Sequence, residues 1–292
     1  MSRKRGSRFS SLALYAIVIA IVWADQYYKD LEQSKFEDAL KKEIELDKKI
    51  DDALLADASK ASSKAQGSDN QESVQSGTVI DLTSSRPFTT QQLWTQVRSM
   101  PINTQGSFLL WSNQHSSFTG SGMGIDNNHY FVNSYLLGYM PFYTDAVWKP
   151  LATLALKKSY AFDTKLYGAR YKDVWQNSQQ AYKLTRGDCE DHSIILADWL
   201  ISLGHNARVV LGEFRNGGHA WVVLFKDDKE YILEATSKGR IRGTHNFINA
   251  ALATKYKPIY QFDRRHFWVN TGSKHTTKYG DSKWVKKSSY SS

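Results

Sequence analysis

Residues 186–236 constrain the fold more than any other stretch. They hold the only cysteine of the 292-residue chain, in Gly187-Asp188-Cys189-Glu190-Asp191. Gly217-Gly218-His219-Ala220-Trp221 comes next, and then Tyr231-Ile232-Leu233-Glu234-Ala235-Thr236. Asp188 fits an N-cap and Asp191 the reciprocal position of a capping box, so a helix starts at Cys189. Ile195, Leu196, Trp199, Leu200 and Leu203 give it apolar surface, and Gly204 can end it with a left-handed residue. Residues 207–214, 219–225 and 231–234 then read as strands, with turns at Asn216-Gly217-Gly218 and Asp227-Asp228. A helix start with a cysteine, a strand start with a histidine and a strand end with a glutamate are the parts of a nucleophilic triad.

A lone cysteine is ordinarily a small buried hydrophobe. Context changes that reading here. At the first helical position, unpaired backbone N–H groups and the helix dipole lower a thiol pKa and offer donors to an oxyanion. In an antiparallel hairpin, His219 and Glu234 are neighbours, so the carboxylate can fix the imidazole tautomer while the other nitrogen takes the thiol proton. His115, His129, His192 and His205 lack such a partner. Asp188, Glu190 and Asp191 work against a thiolate if they face it. They must cap the helix, point away or meet a hard cation such as calcium, for which all three are candidate ligands.

The rest of the chain delivers this site. Residues 1–8 are basic, and 9–24 form an uncharged apolar run spanning roughly 24 Å as a helix. With Trp23, Tyr27 and Tyr28 as interfacial anchors, the run reads as a transmembrane signal anchor, a cleaved signal peptide being the other reading. Either exports the main domain to the periplasmic or extracellular side of the inner or cytoplasmic membrane. Residues 25–64 form a charged helical stalk with Glu37–Lys41, Asp38–Lys42 and Glu45–Lys49 pairs, through which a homo-oligomer could form. Residues 65–78 are a flexible linker, 79–270 the folded domain and 271–292 a basic polar tail. The glycine-rich stretch 118–124 reads as a loop, 145–158 as a helix and 173–182 as a helix leading to the cysteine. Net charge is +9, with the excess at the two ends. That favours membrane lipid or an anionic surface polymer as a contact, and nucleic acid is unlikely. One cysteine excludes an intrachain disulfide and a zinc ribbon.

The blocks Gly187-Asp188-Cys189-Glu190-Asp191, Gly218-His219-Ala220-Trp221 and Leu233-Glu234-Ala235-Thr236 resemble those of the transglutaminase-like cysteine protease superfamily. With Asp173-Val174-Trp175-Gln176 upstream, the similarity is closest to bacterial transglutaminase-like cysteine proteinases. The resemblance implies an α+β, papain/transglutaminase-like core, with nucleophile Cys189, base His219 and orienter Glu234. It implies an oxyanion helper at Trp175 or Gln176, and calcium beside the cysteine. Glu234 departs from the usual aspartate, and Ala235 from the proline that is common after it.

The resulting expectation is a membrane-anchored thiol hydrolase acting on peptide or amide bonds of envelope or surface proteins. A protein-crosslinking acyltransferase and a non-catalytic envelope scaffold or binding module are the alternatives. The chemistry itself requires no cofactor.

Overall fold

The computed structural model describes residues 76–292 and six earlier positions, Leu31, Ser34, Lys35, Asp38, Lys42 and Glu45, all helical and exposed. The chain divides into two units, Met1–Leu46 and Asp47–Ser292. The expected anchor at 9–24, most of the stalk and residues 65–75 of the linker lie outside the described residues. Among the described residues, no helix is long and apolar enough to cross a membrane.

The second unit is α+β. Its strands are β1 (Thr78–Asp81), β2 (Arg86–Thr89), β3 (Leu109–Ser112), β4 (Ser117–Gly124), β5 (His129–Phe131), β6 (Ser159–Tyr160), β7 (Val174–Trp175) and β8 (Arg186–Gly187). They continue with β9 (Asn206–Phe214), β10 (Gly217–Lys226), β11 (Lys229–Leu233), β12 (Ile248–Asn249), β13 (Tyr256–Phe262), β14 (His266–Asn270) and β15 (Trp284–Ser291). The helices are α1 (Thr90–Ser99), α2 (Ile102–Gln105), α3 (Lys149–Lys157), α4 (Asp163–Leu166), α5 (Ser178–Lys183) and α6 (Cys189–Ser202). A nine-stranded sheet runs β12-β11-β10-β9-β13-β14-β15-β1-β2, antiparallel throughout. A smaller sheet joins β3, β4 and β5, with β7 parallel to β4, and β6 pairs with β8 in parallel.

α6 is the element against which the site is set. Asp188 and Asp191 form the expected capping box, and Gly204 ends the segment at φ +86°. Ile194, Ile195, Leu196, Trp199 and Leu200 are fully buried, because α6 packs on β9 and β10 and also against α3 and α5. A helix covered on several sides is apolar all round rather than along one stripe. Each of these side chains contributes about 1.5–3 kcal/mol by leaving water. Farther along, the fully buried Asp198 meets Arg264 Nε at 2.6 Å and accepts the N–H groups of Gly138 and Tyr139.

The large sheet separates two cores by the two-residue period of its strands. Val209, Val222 and Leu224 join α6 in one, while Val210, Trp221, Val223 and Ile232 pack with Tyr256, Trp268 and Trp284 in the other. Two short turns set the register. Arg215 and Asn216 have φ of 49° and 71°, and Asp227 and Asp228 have φ of 51° and 55°. Paired positive φ values make the primed turns whose twist suits a hairpin. The first turn therefore lies at Arg215-Asn216, and Gly217 and Gly218 already belong to β10.

Three sequence expectations need correction. Residues 118–124 are not a loop but lie in β4, the middle strand of the smaller sheet. A Cβ at Gly120 or Gly122 would come within 2.7 Å of the Phe108 or Trp175 ring. The glycines make room for aromatic rings instead of breaking the strand. Residues 173–182 divide into β7 and α5, which starts at an Asn177–Gln180 capping box. Residues 271–292 are not a polar tail: β15 lies between β14 and β1 in the large sheet. Trp284, Ser288 and Tyr290 of β15 are buried while Lys286 is exposed, so the lysine density concealed the inward-facing residues.

Candidate active site

Cys189 is the first residue of α6 and is half-buried. Its backbone N–H lies outside the intrahelical ladder, at the positive end of the helix dipole. His219 stands near the start of β10, and Glu234 comes directly after β11. The β10–β11 ladder pairs Val222 with Leu233. Continued by one residue, it sets Glu234 opposite Trp221 and makes His219 the diagonal neighbour on the same face.

The side chains complete that placement. His219 Nε2 lies 2.9 Å from Glu234 Oε2, with the two side chains 14% and 18% exposed. That exposure shields the bond from bulk water while leaving the ring reachable. Glu234 Oε2 also accepts the Tyr256 hydroxyl at 3.0 Å. Its Oε1 accepts the Thr236 hydroxyl at 2.6 Å and the Thr236 N–H at 3.2 Å. Cys189 is close enough to His219 to act on its titration. With Nε2 on the carboxylate, Nδ1 is the nitrogen left for the sulfur. Phe214 and Trp221 flank the imidazole at centroid distances of 5.5 and 6.0 Å.

The electrostatics favour a charged pair. Burial opposes protonation of His219, but its interactions with Cys189 and Glu234 outweigh it and raise its pKa to about 9. Burial pushes Glu234 upward, and its bonds to His219 and Thr236 more than reverse this, leaving it below the ordinary carboxylate range. These directions favour an imidazolium paired with the Glu234 carboxylate.

The expected oxyanion helpers do not fit that role. Gln176 is fully buried, and its amide nitrogen donates to the Tyr167 hydroxyl and the Arg186 carbonyl, each at 3.0 Å, which uses both N–H bonds. Trp175 is buried too, stacked near Phe108 and Phe262, and its one N–H goes to Asp173 Oδ1 at 2.9 Å. Tyr160, which no sequence pattern marked, lies in β6 opposite Gly187 of β8, two residues before Cys189. His192 is buried and edge-on to Tyr160. His129 is buried against the Gln105 carbonyl.

The acidic flank is larger than its sequence cluster. Asp163, the first residue of α4, and Asp173, just before β7, join Asp188, Glu190 and Asp191. Ligand oxygens of Asp163, Asp173 and Glu190 lie within 4.8 Å of one another, as do those of Asp163, Asp188 and Asp191. Asp191 is committed to the backbone, accepting Gln176 N–H at 2.8 Å and Asp188 N–H at 3.2 Å. In contrast, Asp163 Oδ1, Asp188 Oδ1 and Glu190 Oε1 are buried without a hydrogen-bond partner. Burial, together with the charge of neighbouring acids, raises the pKa of Asp163 to about 8. Burial first, and then Cys189 and Asp188, pushes Glu190 well above the usual range. Buried, unpartnered carboxylate oxygens are the hard donor set that calcium takes, so the residues fit that ion. The Cys189 thiol is 3.3 Å from Glu190 Oε2, a contact compatible with a thiolate only if Glu190 is protonated or neutralised by a cation.

Tyr256 and Asp163 were not legible in the sequence, since each reaches the site from a distant element. Thr236 carried a weak signal, lying two residues after Glu234 in a pattern that suits a local hydrogen bond.

Comparison with known proteins gives partial matches. A family model described as the CEP76 peptidase-like domain matches residues 173–290, a span that includes Cys189, His219 and Glu234. The human protein CC2D2B is 32% identical over 68 residues, covering 23% of this chain and 5% of that protein. The chain thus spans a small fraction of that relative's length. Calcium-bound LapG from Legionella pneumophila is 20% identical, with a TM-score of 0.35 over 47% of this chain and 74% of LapG. The EGTA-treated form of LapG is 19% identical, with a TM-score of 0.34 over 52% and 80%.

Proposed function

We propose that this chain is a membrane-anchored thiol hydrolase of the transglutaminase-like superfamily, cleaving peptide or amide bonds with Cys189, His219 and Glu234. One observation carries the reading: a single imidazole lies 2.9 Å from Glu234 through Nε2 and neighbours the only cysteine, which opens a helix. The partial match to a peptidase-like domain over residues 173–290 supports it.

In this mechanism His219 takes the Cys189 proton at Nδ1, and the thiolate attacks the carbonyl carbon. The carbonyl electrons move onto oxygen, facing the Cys189 N–H at the helix start. When the C=O bond re-forms, the C–N bond breaks and His219 returns its proton to the departing nitrogen. His219 next takes a proton from water as its oxygen attacks the thioester carbon; the C–S bond then breaks, the acid leaves, and the sulfur departs as thiolate and regains the proton from His219. Glu234 stays ionised throughout and stabilises the imidazolium. Asp163, Asp173, Asp188 and Glu190 would hold calcium, which would supply positive charge against the acidic field beside the sulfur.

Residues 9–24, behind a basic amino-terminal segment, serve as the anchor in this reading. The catalytic unit then stands on the periplasmic or extracellular side, and envelope or surface proteins are its substrates.

Iodoacetamide labelling and turnover of fluorescent casein test the proposal. Cys189 should alkylate faster than free glutathione at pH 7. His219→Ala should slow that labelling and lower casein turnover by about 10²–10⁴. A Cys189 no more reactive than glutathione, together with no casein or envelope-protein cleavage, would refute the hydrolase.

A further inference from the structure

A cavity of about 430 Å³ opens between the end of α1, α2, the β4–β5 turn and the segment that enters β7. Its size suits a small ligand or a few residues of peptide. Neither the triad nor the acidic cluster lines it.

Its charge is of one sign. Arg98, from the last turn of α1, lines it together with Arg170 and Lys172. No acidic side chain lines it among the described residues, and neither Arg98 nor Lys172 has an ion-pair partner there. The nearest acids along the chain are Asp126 and Asp173. Asp126 already accepts bonds from Asn128 and Tyr130, and Asp173 from Phe108 and Trp175. Arg170 lies over the Tyr171 ring, 4.6 Å from its centroid, and donates to the Tyr171 hydroxyl. These contacts hold the guanidinium in place without neutralising it.

The remaining lining is apolar and amide in character. Val97 and Met123 bring buried apolar surface, and Ile102 of α2 stays 87% exposed. The Asn103 and Asn127 side chains make no hydrogen bond among the described residues. Each offers both a donor and an acceptor, which suits the N–H and C=O groups of a peptide backbone.

We propose that this cavity binds an acidic protein segment in which carboxylates flank an apolar side chain. The apolar side chain packs against Val97, Ile102 and Met123. The carboxylates meet Arg98, Arg170 and Lys172, and the two asparagines pair with the peptide backbone. Binding here does not depend on the hydrolase reading, because no residue of the triad takes part.

Titration calorimetry on the full chain tests this with three blocked pentapeptides. One has two acidic residues on each side of a leucine, the second replaces the acids by their amides, and the third replaces the leucine by serine. The acidic leucine peptide should bind, and each of the other two should bind about tenfold more weakly. Arg170→Gln combined with Lys172→Gln should weaken the first peptide by a similar factor. Gly106 has φ −95°, and a Cβ there would meet Met123 Cε at an ordinary 3.6 Å. Gly106→Leu therefore fills the cavity and leaves every charge in place. It should keep the parent's thermal midpoint and lose the peptide. Ile102→Ser, at an exposed position on which the fold does not depend, should remove the advantage of leucine over serine. Cys189→Ala should bind as the parent does, whether or not the parent cleaves casein. Equal binding of the acid and amide peptides would overturn the proposal. Unchanged binding in a folded Gly106→Leu would do so too, leaving only a diffuse charge attraction, and displacement of the peptide by an equal concentration of hexanoate would assign the cavity to a small carboxylate instead.

Discussion

Glu234 carries one methylene more than the aspartate that usually orients a catalytic histidine, and its surroundings make the added length usable. Thr236 holds Oε1 through two hydrogen bonds, and Tyr256 shares Oε2 with His219. The carboxylate is thereby fixed in position and orientation, so the longer chain does not leave it free to swing. Tyr256→Phe removes one of these donors and keeps the ring against Phe214 and Trp221. The lost bond is worth about 1 kcal/mol; if that orientation is lost in the transition state, kcat/KM should fall about fivefold with KM little changed, and the unfolding midpoint should drop by only a few degrees. Steady-state kinetics on a peptide substrate check this, and an unaltered kcat would show that Thr236 alone orients the carboxylate. Cys189, His219 and Glu234 were legible because each lies in a short block whose secondary structure its own neighbours dictate. Tyr256 was not, since a tyrosine reaching in from another strand leaves no trace in local spacing.

At the scale of elements, legibility depended on where each fold signal resides. The start and stop of α6 rest on Asp188, Asp191 and Gly204, all within the segment, and both can be read from the chain. β9, β10 and β11 could be read from alternation and turn residues. β4 could not, because its glycines answer to the Phe108 and Trp175 rings on other segments. β15 was hidden likewise, since Trp284, Ser288 and Tyr290 turn inward from a lysine-rich stretch. The carboxyl-terminal half of α6 depends on another long-range contact, Asp198 with Arg264. Asp198 is fully buried, and burial raises its pKa against the pull of Arg264. Arg264→Ala would leave that carboxylate with only neutral donors inside the protein. Removing one partner of such a pair costs about 3 kcal/mol. Urea unfolding should show the midpoint falling at constant m-value, and a change within error would mean that the Gly138 and Tyr139 N–H groups suffice.

The whole molecule brings the acids together: α4 supplies Asp163, the segment before β7 supplies Asp173, and the start of α6 supplies Asp188 and Glu190. Packing the two sheets and α6 around one another takes these carboxyls out of water, and that has a thermodynamic consequence. Asp163 titrates at about 8 and Asp188 at about 7 in the folded chain, chiefly through burial. In the unfolded chain both ionise near pH 4. Between these limits the folded state binds more protons than the unfolded state, so stability falls as pH rises from about 4 to about 8. Calcium reverses the trend, because it binds the ionised carboxylates of the folded state and competes with protons for them. In EGTA the unfolding midpoint should therefore drop between pH 5 and pH 8. Added calcium should raise it strongly at pH 8 and little at pH 5. Asp163→Asn removes one buried charge, so in EGTA at pH 8 it should be more stable than the parent while losing most of the calcium response. Calorimetry across this grid separates the possibilities. A midpoint insensitive to pH in EGTA would mean that the cluster stays neutralised without a metal. A calcium response surviving in Asp163→Asn would place the ion on Asp188 and Glu190 without help from α4.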